Sequence, residues 1–317
     1  MVISKETTKG LKGIAIIMVV ISHIHNIYDF DSATEQFLNP CGYLGVSLFL
    51  ILSGYGCAMS KSGNSFNTLF RRIKRIITPL AICTLFSAIT IAVIDTPPSM
   101  LYVTLQTFGL NSKFCPPMWY ITLQILCYII FYLIGKIKSN SRYVIHVFIS
   151  SIILLLISVT YDVEGLGAYL WGLNAFSFQA GMIIARLKVS DRNLKHISMI
   201  TSFIFVVLFI FTYLIIGNPD DLLVKNSLKG IIALLFATTV LIIAYLYKDI
   251  LNSIHFLKTI GDYSFYIYLI HAFLIFTFNR IVFSNNGILA IICLLVIVSI
   301  CCPLLKRCDE KIRSMVG

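Results

Sequence analysis

A lysine and a histidine stand eleven residues apart in an otherwise apolar stretch, KGIAIIMVVISH, running from Lys12 to His23. On a helix, eleven steps of about 100° bring the two side chains back to within roughly 20° of one face, ~16 Å apart along the axis. The lysine offers a fixed positive charge suited to a phosphate. The histidine offers a ring nitrogen that gains and loses a proton near neutral pH. An ionisable ring at that depth in an apolar helix faces a protein interior or a wet cavity, so it is either a working group or a bond between helices.

Other residues with chemical potential follow along the chain. In FRRIKRIITP, Arg72 and Arg75 are three apart and share a helix face, where they could clamp a polyphosphate or carboxylate. A basic anchor against lipid headgroups would use the same charges. The stretch CGYLGVSLFLILSGYG carries Ser47 among Gly42, Gly45, Gly54 and Gly56, small residues that let helices approach closely. Gln124 lies one turn deeper than Trp119 and Tyr120, whose aromatic rings suit a membrane interface. Ser264, Tyr268 and His271, spaced by four and three, form one helical stripe that is either a polar seam or the wall of a site. His25, two residues after His23, is expected on a different face, and His146, His196 and His255 at helix ends. Nine cysteines show no paired CxxC arrangement, so a structural zinc site is not expected, although Cys41 and Cys115 could pair. No P-loop, dinucleotide-binding glycine pattern or internal repeat is present.

These residues need elements to hold them, and the composition says which. Hydrophobic residues make up 58% of the 317, only 12% are charged, and the mean hydropathy is +0.90. A soluble domain is about 25% charged, so this is an all-α polytopic membrane protein. Ten apolar runs can each cross a hydrocarbon core of ~30 Å. They are predicted at 11–28, 42–60, 76–94, 117–135, 143–160, 166–185, 197–216, 229–247, 263–283 and 287–305, within a single integral-membrane domain over 1–317. The first run is too long for a signal-peptide core and lacks a small-residue cleavage pattern, so it is expected to remain as a helix.

With the N-terminus in the cytoplasm, 21 of the 25 Lys and Arg fall in inner segments, leaving only Lys113, Lys225, Lys229 and Arg280 outside. The positive-inside rule then places both termini in the cytoplasm. Acidic outer connections are expected at Asp29–Asn39 and around Asp162 and Glu164, and the longest outer loop at Asp95–Pro117. The net charge of +11 follows from this topology and calls for no nucleic-acid partner.

KGIAIIMVVISH, GYLGVSLFLILSGY, FRRIKRIITP, MWYITLQILCYIIFYLI and GDYSFYIYLIH occur in the order and spacing of the acyltransferase 3 family, which the chain resembles over nearly its whole length. The resemblance implies ten core helices in a bacterial plasma membrane. It also implies transfer of acetyl or related acyl groups, usually from acyl coenzyme A inside, to hydroxyls of envelope glycans. By that resemblance His23 matches the essential histidine, Lys12 stands where arginine is usual, and Arg72 and Arg75 match the paired-arginine motif, so these three cations are expected to hold the donor. Ser47 and Gln124 stand where many members have acids, and are expected to face the acceptor or the developing oxyanion. No metal is expected. The chain leaves no room for the extra soluble domain some members append, so a second transfer step would need a separate extracytoplasmic partner. A glycan transporter or flippase, or a membrane receptor, would use the same polar cavity differently.

Overall fold

Several of the long helices begin on a polar residue well ahead of the apolar run they carry. The Ser4 side chain accepts from the Thr7 amide (3.0 Å) to open α1, Lys5–His23. Asp31 does the same for Thr34 (2.8 Å) at the start of α2, Ser32–Met59, and Ser65 for Thr68 (3.2 Å) at the start of α3, Phe66–Ile94. Each such cap satisfies an amide donor that the first helical turn leaves open. The helices therefore start earlier than 11, 42 and 76, and the outer connection expected over Asp29–Asn39 is helical from Ser32 onward.

The computed structural model describes residues 1–60, 64–160, 165–212, 221–278 and 287–315. After α3 come α4 (Met100–Thr107), α5 (Trp119–Ile134), α6 (Asn140–Thr160), α7 (Ser177–Ile184) and α8 (Asp191–Ile210). They are followed by α9 (Leu222–Leu246), α10 (Lys248–Ser253), α11 (His255–Ala272) and α12 (Ile288–Met315). Helix α4 interrupts the connection predicted as a loop over Asp95–Pro117. Asp162, Glu164 and Arg280 lie outside the described residues. Among the described residues the fold is all-α, with nine segments long and apolar enough to cross a membrane. Faces such as Phe86, Ile89 and Val93 on α3 are exposed to an extent that suits lipid, and the chain is a multi-pass membrane protein.

The span expected at 166–185 is not one helix. It consists of two 3₁₀ turns, Ala168–Leu170 and Gly172–Asn174, followed by the short α7, and it enters through Gly167 in the left-handed region (φ 64°). It nevertheless runs the length of α6. At one end the Asn226 amide donates to both Ser158 Oγ (3.2 Å) and the Tyr169 carbonyl (2.8 Å). At the other, Arg186 donates to the Ile137 carbonyl and lays its guanidinium 3.3 Å from the centre of the Tyr143 ring. Irregular backbone at membrane depth survives only where protein buries it or where it borders a cavity. Here it does both, as shown below.

The centre of the fold is α1, clasped by α11 on one side and α2 on the other. A Cβ on Gly13 would collide with the Leu257 carbonyl, and one on Gly261 with the Lys9 carbonyl, so α1 and α11 touch backbone to backbone. The Lys9–Asp262 ion pair (3.3 Å) bridges the two helices beside the same contact. Gly54 and Gly181 bring α2 against α7 in the same way, whereas Gly56 faces open space and takes no part in packing. Cys41 and Cys115 are free thiols rather than a disulfide.

Candidate functional site

Helix α1 stops at His23 and continues as a 3₁₀ turn, Ile24–Asn26. The tighter turn swings His25 into the same cavity as His23, which corrects the expectation that the two rings part. This cavity, ≈ 260 Å³, is bordered by both histidines, Asn39, Tyr43 and Trp119, and by Leu170 and Leu173 of the broken segment. His25 Nδ1 is 2.7 Å from the Ser22 carbonyl. His23 Nδ1 lies 3.1 Å from Nε2 of His271, the last polar residue of the α11 stripe. A π-helical turn, Phe273–Thr277, follows at once and sets the Phe276 ring edge-on to His23, 5.0 Å between centres at 84°. Such turns recur at functional sites because they re-aim side chains within a helix.

A second cavity of ≈ 200 Å³ holds the cations. Lys12 and Arg75 line it, together with Ser53, Gln124 and Ser264. Lys12 is half-buried and Arg75 is exposed, which puts the arginine at the mouth. Tyr120 and Gln124 form its polar wall. Tyr120 is buried, and its hydroxyl donates to Gln124 Oε1 (3.1 Å). Gln124 is itself 2% exposed, and its Nε2 has no hydrogen-bond partner among the described residues. A buried amide donor left open next to a polar cavity is suited to a carbonyl or an oxyanion.

The sequence-predicted residues thus divide. Lys12, Arg75 and Gln124 share one cavity, and His23 lies in the next. Arg72 goes elsewhere, its guanidinium 5.1 Å from the centre of the Phe131 ring on α5, and it lines neither cavity. Ser47 is fully buried, bonded to Ser177 Oγ (2.7 Å) and the Ala233 carbonyl (2.9 Å), so it ties α2 to α7 and α9 instead of facing either cavity. Tyr268 belongs to both. Its hydroxyl donates to the Pro117 carbonyl, and its ring meets Tyr120 edge-on, 5.3 Å between centres at 71°. Of the Ser264, Tyr268 and His271 stripe, the first two therefore line a cavity, and His271 is buried behind them against His23. What the sequence left unseen is that His271 is the partner of His23. The available signal was a second histidine inside an apolar helix.

A proton-handling ring, an unmet amide donor and two cations close together suit attack of a hydroxyl on an activated carbonyl whose leaving group is tethered to phosphates. The family model for the acyltransferase domain matches residues 9–307, a range that takes in every residue lining the two cavities. No curated protein and no solved structure matches the chain. With that match added to the two cavities, the chain belongs to the acyltransferase 3 family and is a membrane-embedded acyltransferase.

Proposed function

We propose that the chain is an O-acyltransferase, in its simplest form an O-acetyltransferase, of the bacterial plasma membrane. It takes the acyl group from acyl coenzyme A on the cytoplasmic side and delivers it to a hydroxyl of an envelope or exported polysaccharide on the other. The observation that carries this reading is that the cation cavity and the histidine cavity abut at one side chain, Tyr268. The basic helix ends are taken as cytoplasmic, with both termini on that side, and membrane lipids as the surround.

At ≈ 200 Å³ the cation cavity is smaller than the ~300–1,000 Å³ that encloses a drug-sized ligand. Only the acyl-bearing end of the donor would enter it. Its phosphates would stay at the mouth against Arg75 and Lys12, with Arg72 extending the basic surface along α3. The acceptor hydroxyl attacks the thioester carbon while His23 takes its proton. Gln124 Nε2 donates to the carbonyl oxygen as negative charge develops there. When the carbon–sulfur bond breaks, the proton held by His23 passes to the departing thiolate, leaving an ester and free coenzyme A. A further step on the outer side would be the work of a separate extracytoplasmic partner.

The test is radiolabelled acetyl coenzyme A given to the protein in nanodiscs together with envelope polysaccharide. Label is expected on the polysaccharide, with a loss of roughly 10²–10⁴-fold for His23→Ala. The Arg72→Ala, Arg75→Ala double variant is expected to weaken donor binding while leaving the fold intact. A correctly inserted His23→Ala protein with full transfer would overturn the assignment. So would movement of polysaccharide without acyl turnover, which is what a transporter would give.

A further inference from the structure

Two imidazoles that share one hydrogen bond must settle which of them supplies the proton, and here the backbone decides. His271 is fully buried, and its Nδ1 lies 2.7 Å from the carbonyl of Ile267, one turn earlier on α11. A carbonyl only accepts, so Nδ1 of His271 carries a hydrogen. A second hydrogen on its Nε2 would make a cation at 0% exposure with no carboxylate paired to it among the described residues. Buried charges avoid that arrangement. Nε2 of His271 is therefore bare, and the hydrogen in the 3.1 Å contact belongs to Nδ1 of His23.

The ring geometry agrees. The centres are 5.3 Å apart, the planes differ by 16° and the nitrogens are 3.1 Å apart. Those three values hold together only if the rings lie end to end, so the His23 N–H points along the line to its acceptor. Phe276 braces the ring edge-on. A neutral His23 protonated at Nδ1 is bare at Nε2, and no described residue hydrogen-bonds that atom.

We propose that His271 is a positioning residue. It fixes His23 as the Nδ1–H tautomer, so that Nε2, without a hydrogen-bond partner among the described residues, is the nitrogen that takes the proton of the acceptor hydroxyl. The role in transfer rests on the function proposed above, whereas the tautomer does not depend on turnover. When Nε2 takes the proton, Nδ1–H still donates to His271, so the new charge is stabilised by a neutral imidazole where many hydrolases use a carboxylate. His25 also holds its Nδ1 to a carbonyl, but that carbonyl is Ser22's, on its own helix, and among the described residues no second helix hydrogen-bonds the ring.

The experiment is nitrogen-15 NMR of histidine-labelled protein in nanodiscs, with the His23 signals identified by their loss in His23→Gln, run beside steady-state kinetics. His23 is expected to show a protonated Nδ1 and a bare Nε2. His271→Leu should release it to the other tautomer and lower kcat by roughly 10²-fold or more, with KM for acetyl coenzyme A changed less than about twofold. His271→Gln, whose amide oxygen can accept the same N–H, should recover at least about a tenth of the wild-type kcat. A wild-type His23 protonated at Nε2 would overturn the proposal, as would equal losses in the Leu and Gln variants. Should His271→Leu fail to fold, the wild-type spectrum and His271→Gln decide alone. An Nδ1–H spectrum together with full turnover in His23→Ala would instead defeat the function proposed for His23 while keeping the tautomer.

Discussion

Gln124 has one end of its amide engaged and the other open, and that asymmetry predicts an unusual variant. Replacing it with Leu removes a buried donor without a partner, whose burial costs roughly 1–3 kcal/mol, but leaves the buried Tyr120 hydroxyl without its acceptor, a cost of about the same size. The two terms offset, so Gln124→Leu should stay within about 1 kcal/mol of the parent in stability. If Nε2 meets the oxyanion, the same variant should lose about 10²-fold in kcat. A stable protein with little activity marks a residue kept for chemistry. Thermal unfolding in detergent and initial rates with labelled acetyl coenzyme A measure the two halves, and unchanged kcat would remove the oxyanion role. Ser47 marks the opposite case. Its hydroxyl is committed to Ser177 and Ala233, so the site residue suggested by family position is a packing residue by its contacts.

Helix α1 reaches its working position because α11 lets it come within backbone contact, and one glycine on each side makes this possible. Any side chain at Gly261 meets the Lys9 carbonyl, a backbone atom that cannot swing away. Gly261→Ala should therefore destabilise by about 1–3 kcal/mol, as overpacking does, and shift His23 against His271. Gly56→Ala, with nothing near its added methyl, should gain roughly 0.5–1 kcal/mol from helix propensity. Paired melting curves check both signs, and a Gly261→Ala protein as stable as the parent would refute the close contact.

The positions of the spans could be read from the sequence because an apolar run of fixed length is a strong signal. Their starts could not, since Ser4, Asp31 and Ser65 cap helices from within polar segments. The broken segment was hidden because composition reports apolarity and not continuity. The pairing of His23 with His271 joins residues 248 apart in the chain, beyond any local spacing rule. Arg72 and Arg75 share a helix face as predicted, yet the Phe131 ring draws one of them away from the cavity.

On the proposed function, the question for the whole molecule is how an acyl group passes between two compartments without being lost to water. Lys12, Arg75 and Gln124 stand in one cavity and His23 in the other, and Tyr268 walls both. Its hydroxyl is held by the Pro117 carbonyl just before α5, and its ring rests against Tyr120 of α5 and, 5.9 Å between centres, His271 of α11. That wall explains how a thioester could approach from the basic side while the histidine side stays open to an acceptor, because exclusion of water prevents hydrolysis of a reactive carbonyl. Tyr268→Ala would merge the two volumes, remove one aromatic contact to Gln124's partner Tyr120, and admit water beside the thioester. Coenzyme A release without acceptor should then rise relative to acyl transfer, whereas Tyr268→Phe, which keeps the ring and loses only the bond to Pro117, should stay close to the parent ratio. Free thiol and acylated polysaccharide are measured in the same reaction. If the Ala variant kept the parent's ratio of the two products, the ring would be packing alone and the compartments would have to be sealed by some other group.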